Sequence, residues 1–266
     1  MQLENKSVLL TGASGGIGKE LALQLASAGA RLILCGRNQP VLQELVARLP
    51  GEGHRVLVAD IATLEGVAAI DSHCKANGSV DLLVNLAGSN RFALITDLQP
   101  DDIENQVQLN LLAPIRLSQR ALNWATPPSM IVNVGSTLGA IGYPGYSVYC
   151  ASKAGLQRYS EALNRELDTE RTRVLYVAPR ATDTPLNDSR VREMNQVLGN
   201  GCDSPQWVAR QIIEGIQRDQ TERWLGWPEK LFVRINALLP ALVTASIRKQ
   251  YAVISQYARK YKETLS

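Results

Sequence analysis

The stretch Ser7-Val8-Leu9-Leu10-Thr11-Gly12-Ala13-Ser14-Gly15-Gly16-Ile17-Gly18 decides how this chain folds. Its first five residues form a short, mostly apolar run, the pattern of a strand buried on both faces. Glycines follow at 12, 15, 16 and 18, and helical periodicity begins at Gly18 and continues to Ala28. A strand that turns through glycines straight into a helix opens a βαβ unit. Glycine permits the sharp turn and lets a ligand approach the main-chain N–H groups. The helix N-terminus behind them adds unpaired donors and partial positive charge, which suits a pyrophosphate. The spacing is T-G-x-x-x-G-x-G, not the commoner G-x-G-x-x-G.

Working outward, the same alternation repeats. Short strand-like runs occur at Arg31–Cys35, Arg55–Ala59, Asp81–Asn85, Met130–Val134, Val174–Ala178 and Arg223–Gly226. Segments of helical period separate most of them: Val41–Leu49, Leu64–Ala76, Asp101–Trp124, Tyr149–Thr169 and Pro205–Arg218. Buried strands alternating with helices imply an α/β protein with a parallel sheet covered on both faces. Right-handed crossovers make it a single-domain doubly wound parallel sheet, the Rossmann fold, over residues 1–228. Residues 229–266 read as an amphipathic, basic helical C-terminal extension.

Composition narrows the class. The chain has 266 residues, 45% apolar and 20% charged, with a net charge of +3. That is globular, and it gives no reason to expect a nucleic-acid partner. Cysteines 35, 74, 150 and 202 are scattered, with no C-x-x-C pair, so neither zinc nor a disulfide framework is expected. Reduced thiols point to the cytoplasm. No leader and no spanning segment are expected. His54 and His73 are isolated and read as structural or surface residues.

The second strand ends Leu34-Cys35-Gly36-Arg37-Asn38. An acid there would accept hydrogen bonds from a ribose 2′-hydroxyl and repel a 2′-phosphate. An arginine stands in its place, and a guanidinium suits a phosphate through paired, charge-assisted bonds. NADP(H) is therefore preferred, with NAD(H) as the alternative. Otherwise Arg37 is an ordinary solvated loop residue.

Tyr149 and Lys153 stand at i and i+4, on one helix face. A nearby ammonium stabilises a phenolate, so Lys153 is expected to lower the Tyr149 pKa. Ser136 ends the fifth strand, where parallel sheets bind ligands. Its hydroxyl would hold a substrate oxygen within reach of Tyr149. Tyr143 and Tyr146 lie between them as pocket candidates, but neither has a lysine four residues on.

Taken together, the glycine turn, Asn85-Leu86-Ala87-Gly88 after the fourth strand, Asn110, Ser136 and Tyr149/Lys153 resemble the short-chain dehydrogenase/reductase family. The resemblance runs from about Lys6 to Gly226. It implies that Ser136 orients a substrate carbonyl and Tyr149 gives or takes the proton. It implies that Lys153 holds the nicotinamide ribose and tunes Tyr149, and that Asn110 supports a water joining Lys153 to solvent. It places Gly12, Ser14, Gly15, Gly16, Ile17 and Gly18 at the cofactor phosphates, and Asp60 and Ile61 at the adenine. Asn85, Ala87 and Gly88 would support the cofactor's centre, with Pro179 and Thr184 near the nicotinamide.

Two departures stand out. Leu86 replaces the family's second asparagine, and Asn85 is expected to keep both sheet stabilisation and cofactor contact. Arg180 follows Pro179 where the family has glycine. It is expected either to touch a cofactor phosphate or acidic substrate group, or to point to solvent.

The tail from Glu229 carries seven Lys/Arg and two acids. Leu231, Phe232, Ile235, Leu238, Leu239 and Leu242 recur at helical spacing, and Pro240 is expected to kink or interrupt the helix. Four roles stay open: packing on its own domain, lidding the cleft, pairing subunits, or peripheral membrane contact. A homodimer or higher homo-oligomer is expected.

The resemblance implies an NADP(H)-dependent oxidoreductase acting on a carbonyl or secondary alcohol of a lipophilic small molecule. Two alternatives stand beside it, a 3-oxoacyl thioester reductase and a non-catalytic NADP(H)-sensing or scaffold protein.

Overall fold

The computed structural model describes residues 1–78 and 80–263, with side chains through Arg259. Seven parallel strands form one sheet. They are β1 (Ser7–Thr11), β2 (Arg31–Gly36), β3 (Arg55–Val58), β4 (Val80–Asn85), β5 (Ala125–Val134), β6 (Thr172–Ala178) and β7 (Glu222–Trp224). Their order is β3-β2-β1-β4-β5-β6-β7. The chain thus runs from the centre to one edge, returns to the centre, and runs to the other edge. The reversal falls between β1 and β4, and a crevice at the carboxyl ends of the strands is expected there.

The central strands are largely apolar because both faces are covered, whereas the edge strands β3 and β7 are partly exposed. Leu10, Leu34, Val84 and Val132 point to one side, where α1 (Gly16–Ser27), α2 (Gln39–Ala47) and α8 (Pro205–Gln217) pack. Leu9, Ile33, Leu83 and Ile131 point to the other, against α3 (Leu64–Ala76), α5 (Ala113–Ala121) and α6 (Ser147–Glu166). Alternation along each strand feeds two cores, as the two-residue period of a strand dictates. Side chains start three of these six helices. Asn38, Thr63 and Ser204 cap α2, α3 and α8 by accepting from backbone N–H groups.

Three elements differ from the sequence expectation. The long helix expected at 101–124 is α4 (Pro100–Val107), a π-helical turn (Gln108–Leu112) and α5. A further helix, α7 (Ser189–Leu198), follows β6, capped by Asp188 and ended by Gly199 at φ 67°. The tail is two helices, α9 (Glu229–Leu238) and α10 (Pro240–Glu263). The break falls at Leu239, and Pro240 opens the second helix, where its missing N–H costs nothing. Helix α10 packs on α7 and on a third apolar cluster containing Phe92, Tyr146, Met194, Ile254 and Ala258.

Candidate active site

A cleft of about 1100 Å³ opens at the carboxyl ends of the strands, over the β1–β4 reversal. One side chain ties the two strands there. Thr11 Oγ1 accepts from the N–H groups of Leu86 (3.1 Å) and Ala87 (3.3 Å) and donates to the Val84 carbonyl (3.2 Å). Gly12 has a φ of +70°, and a Cβ there would lie 2.7 Å from the Ala87 backbone. At Gly18 a Cβ would lie 2.1 Å from the Gly12 carbonyl oxygen. Only glycine closes this turn. Gly12, Ser14, Gly15, Gly16, Ile17 and Gly18 all line the cleft.

Helix α1 begins at this turn with Gly15 as a cap that has no side-chain acceptor and no acid in its first turn. Its first N–H groups are available to an anion. Arg37, Asp60 and Ile61 line the same end. The Arg37 side chain is 77% exposed, and its Nη1 lies 3.7 Å from Asp60 Oδ2, too loose to hold it there. The Asp60 carboxylate accepts from the Ala62 N–H at 3.0 Å. A close-approach glycine turn, an open helix N-terminus and an uncommitted guanidinium fit a dinucleotide carrying an extra phosphate.

Ala87, Gly88, Ser136, Tyr149, Lys153, Pro179 and Thr184 line the other half. Thr184 reaches back to the glycine turn, since a Cβ on Gly16 would meet its Cγ2 at 2.6 Å. Ser136 stands two residues past the end of β5 and accepts from the Leu138 N–H at 3.2 Å. Tyr149 and Lys153 come from the first two turns of α6. Lys153 Nζ donates to the Val134 carbonyl at 2.9 Å and lies 5.9 Å from the Tyr149 ring centroid. Tyr143 and Tyr146 line the cleft as well.

Burial raises the Tyr149 pKa to about 12, with the Ser136 hydroxyl pulling the other way. Burial alone lowers Lys153 to about 8. The expectation that Lys153 lowers the Tyr149 pKa is therefore not met in this geometry. Each group is desolvated, the ammonium is committed to a carbonyl, and each is pushed toward its neutral form.

Two expected site residues stand behind the cleft wall. Asn110 is fully buried in the π-helical turn. Its side chain donates to the Ser89 carbonyl (2.9 Å) and to Ser152 Oγ (3.3 Å), and accepts from the Ser89 N–H (2.8 Å). A Cβ on Gly88 would lie 3.0 Å from Asn110 Oδ1 and 3.6 Å from Lys153 Nζ, so the three sit together. Asn85 is not brought to the cleft. Its amide donates to Asn133 Oδ1 (2.8 Å) and Ser118 Oγ (3.3 Å), and Asn133 continues to Ser160 (2.9 Å). It joins β4, β5, α5 and α6 in the core, and the cofactor contact expected of it is corrected to a sheet–helix tie.

Arg180 follows neither expected course. Its guanidinium is held by Asp203 (2.8 Å), Glu229 (3.1 Å) and the Trp227 carbonyl (3.0 Å), with the side chain 18% exposed. It fastens the chain after β6 to the chain after α7 and to the start of α9. Gly201 and Gly226 make room for it, since a Cβ on either would fall 2.7 or 2.6 Å from its atoms. The hydrogen bond to Asp203 and the nearby Glu229 carboxylate raise its pKa and keep it charged. The tail contributes cleft wall beyond this clasp, through Phe232, Val243 and Ile247.

Sequence reasoning missed Thr11, Ser89 and Tyr176. The Tyr176 hydroxyl lies 3.4 Å from both the N and O of Ser136, and a Cβ on Gly135 would overlap it. In the sequence it is one aromatic in an apolar strand, and nothing marks it. Thr11 did carry a signal, as the first letter of the glycine motif.

The chain matches the sequence profile of the short chain dehydrogenase family over residues 6–195. It is 35% identical to carbonyl reductase family member 4 of Danio rerio over 191 residues, which cover 71% of this chain and 81% of that one. It is 30% identical to dehydrogenase/reductase SDR family member 7B of Danio rerio, covering 97% of this chain and 87% of that one. Among solved structures it resembles a short chain dehydrogenase from Burkholderia cenocepacia J2315 in complex with NADP. The TM-score is 0.77 at 28% identity, covering 86% of this chain and 100% of that one. Profile, relatives, fold and cleft agree that this chain belongs to the short-chain dehydrogenase/reductase family of oxidoreductases.

Proposed function

We propose that this chain moves hydride between NADP(H) and a carbonyl or secondary alcohol, with Tyr149 as the proton donor or acceptor. One observation carries the reading: a single cleft joins the glycine turn and Arg37 at one end to Ser136, Tyr149 and Lys153 at the other. The NADP complexes of the Burkholderia structure and of angucycline C-6 ketoreductase LanV, a 25% identical chain with a TM-score of 0.74, support the choice of cofactor.

The main-chain N–H groups of the glycine turn and α1 would hold the pyrophosphate, and Arg37 the 2′-phosphate. Bound there, the cofactor supplies the hydride. The remaining work falls to the chain's own residues. The Ser136 hydroxyl fixes the substrate oxygen beside the Tyr149 hydroxyl, a saving in orientation. Tyr149, held protonated by burial, gives its proton to that oxygen in reduction. Lys153 stands on the same helix face, at the Val134 carbonyl. In oxidation the proton moves the other way.

Leu138, Ile141, Leu186, Val191, Met194 and Phe232 give the substrate end an apolar character that favours a lipophilic small molecule. Arg180, which lines the cleft, is committed to Asp203 and Glu229. That commitment counts against an acidic substrate. A 3-oxoacyl-[acyl-carrier-protein] reductase of Pseudomonas aeruginosa is 35% identical over 191 residues, which keeps a 3-oxoacyl thioester as the second reading.

The test is NADPH oxidation by the full chain across a panel of ketones and aldehydes, repeated with Tyr149→Phe. General acid–base catalysis contributes about 10²–10⁴-fold, and the variant is expected to lose that much in kcat while still binding NADPH. Near-full turnover by Tyr149→Phe on a verified substrate overturns the mechanism. NADPH binding with no turnover on any carbonyl points instead to a sensing or scaffold role.

A further inference from the structure

Apolar side chains left in water are concentrated at one place. Among the described residues, seven of the thirteen exposed large apolar side chains lie between Trp227 and Tyr251. Trp227 is 68% exposed and Leu238 80%. Leu231 and Leu238 stand seven residues apart and so share one line along α9. Leu239 and Leu242 continue the patch across the break into α10. The opposite side of the pair is accounted for. Val243, Ile254 and Ala258 are buried, Asn236 donates to the Ala140 carbonyl at 2.8 Å, and Phe232 and Ile247 line the cleft.

The charge that the tail itself carries is almost all of one sign. Lys230 and Arg234 also line a second cavity that holds Glu161 and Glu222, with no ion pair to either among the described residues. From Glu229 to Arg259 the chain carries Lys230, Arg234, Arg248, Lys249 and Arg259, and Glu229 as its sole acid. Glu229 is already paired with Arg180. Lys230, Arg234, Arg248 and Lys249 are all exposed, and none makes an ion pair within the described residues.

We propose that the outer edge of α9 and α10 docks on an anionic phospholipid surface. Its leucines and Trp227 would enter the acyl boundary, and its cations would lie among the headgroups. An amphipathic helix pair with an apolar edge and unpaired lysines and arginines has the two signals that interfacial binding needs. No helix among the described residues is long and apolar enough to cross a membrane, so the contact is with the surface. A second copy of the chain is the weaker occupant. A two-fold contact places the same patch on both sides and faces four unpaired cations with four more. The cleft mouth lies beneath the same helices, which places a lipophilic substrate's entrance next to its solvent. The docking itself does not depend on the reaction proposed above.

The test is flotation of the full chain with vesicles of phosphatidylcholine alone or mixed equally with phosphatidylglycerol, with NADPH binding measured in parallel. The wild-type chain is expected to float with the mixed vesicles, weakly with the neutral ones, and less as salt rises. Leu231→Asp/Leu238→Asp/Leu242→Asp is expected to lose at least about tenfold in vesicle affinity with NADPH affinity unchanged. Arg248→Glu/Lys249→Glu, which touches no apolar residue, is expected to lose about tenfold or more on the mixed vesicles only. The proposal falls if the wild-type chain stays unbound, or floats equally on both vesicles, or if both variants float like it. It also falls if the wild-type chain is a dimer that the leucine variant dissociates and neither form binds vesicles.

Discussion

Tyr149 and Lys153 are both held toward their neutral forms, and this has consequences for stability as well as for proton transfer. Lys153 ordinarily titrates at 10.5 and here at about 8. Between those values the unfolded chain binds the extra proton, so the burial cost is full below about pH 8 and relieved as pH rises toward 10.5. Lys153→Met is therefore expected to abolish turnover yet raise stability at neutral pH by about 1–3 kcal/mol, a gain that shrinks as pH rises from about 8 toward 10.5. Denaturant unfolding at the two pH values checks it. A loss at neutral pH would mean that the bond to the Val134 carbonyl outweighs desolvation. Tyr149 runs the other way. Its pKa near 12 keeps it protonated through the neutral range, so carbonyl reduction should be nearly flat in pH until Lys153 begins to lose its proton near 8. Arg37 belongs to the same scale. With its side chain 77% exposed, it adds little to stability, and Arg37→Ala should leave unfolding unchanged. It should weaken NADPH binding about 10–100-fold and NADH binding hardly at all, measured by titration calorimetry.

At the scale of elements, two local irregularities build the site. The glycine turn was legible in the sequence because its cause is local. A positive φ at Gly12 and the contact of Gly18 with the Gly12 carbonyl both lie within one short segment. The π-helical turn was not legible. No residue type in 101–124 marks it, and its purpose, holding Asn110 on Ser89, links positions 21 apart. Asn110→Ala removes three hydrogen bonds in a buried place and leaves both Ser89 backbone groups short of a partner. It is expected to cost about 2–4 kcal/mol in urea unfolding and to lower kcat through the displaced Ser89 segment. Helix α7 had signals, Asp188 as a cap and Val191, Met194 and Leu198 at helical spacing, but it lies between β6 and α8 rather than between two strands, so the strand–helix alternation does not call for it.

At the scale of the whole molecule, Arg180 holds three separated segments together. A glycine in its place would leave Asp203 and Glu229, both largely buried, facing each other without a cation. Arg180→Gly is expected to destabilise the chain by about 2–4 kcal/mol and to speed proteolysis between β7 and α9. Arg180→Lys should recover only part of this, because one ammonium cannot engage two carboxylates and a carbonyl in a fork. Limited proteolysis and urea unfolding of the two variants test the point together. The clasp also sets the position of α9 and α10, and through them one wall of the cleft and the exposed apolar edge.

The sequence by itself determined the doubly wound sheet, the glycine cradle and the pairing of Tyr149 with Lys153. Each follows from short-range facts: strand and helix periods, a turn only glycine can make, and two residues one helical turn apart. The tertiary structure alone decided the rest. It turned Asn85 into the core, bound Arg180 to acids 23 and 49 residues away, and laid the tail over the cleft. It also set the Tyr149 pKa against expectation, because burial is a property of everything packed around a group and not of its neighbour on the helix.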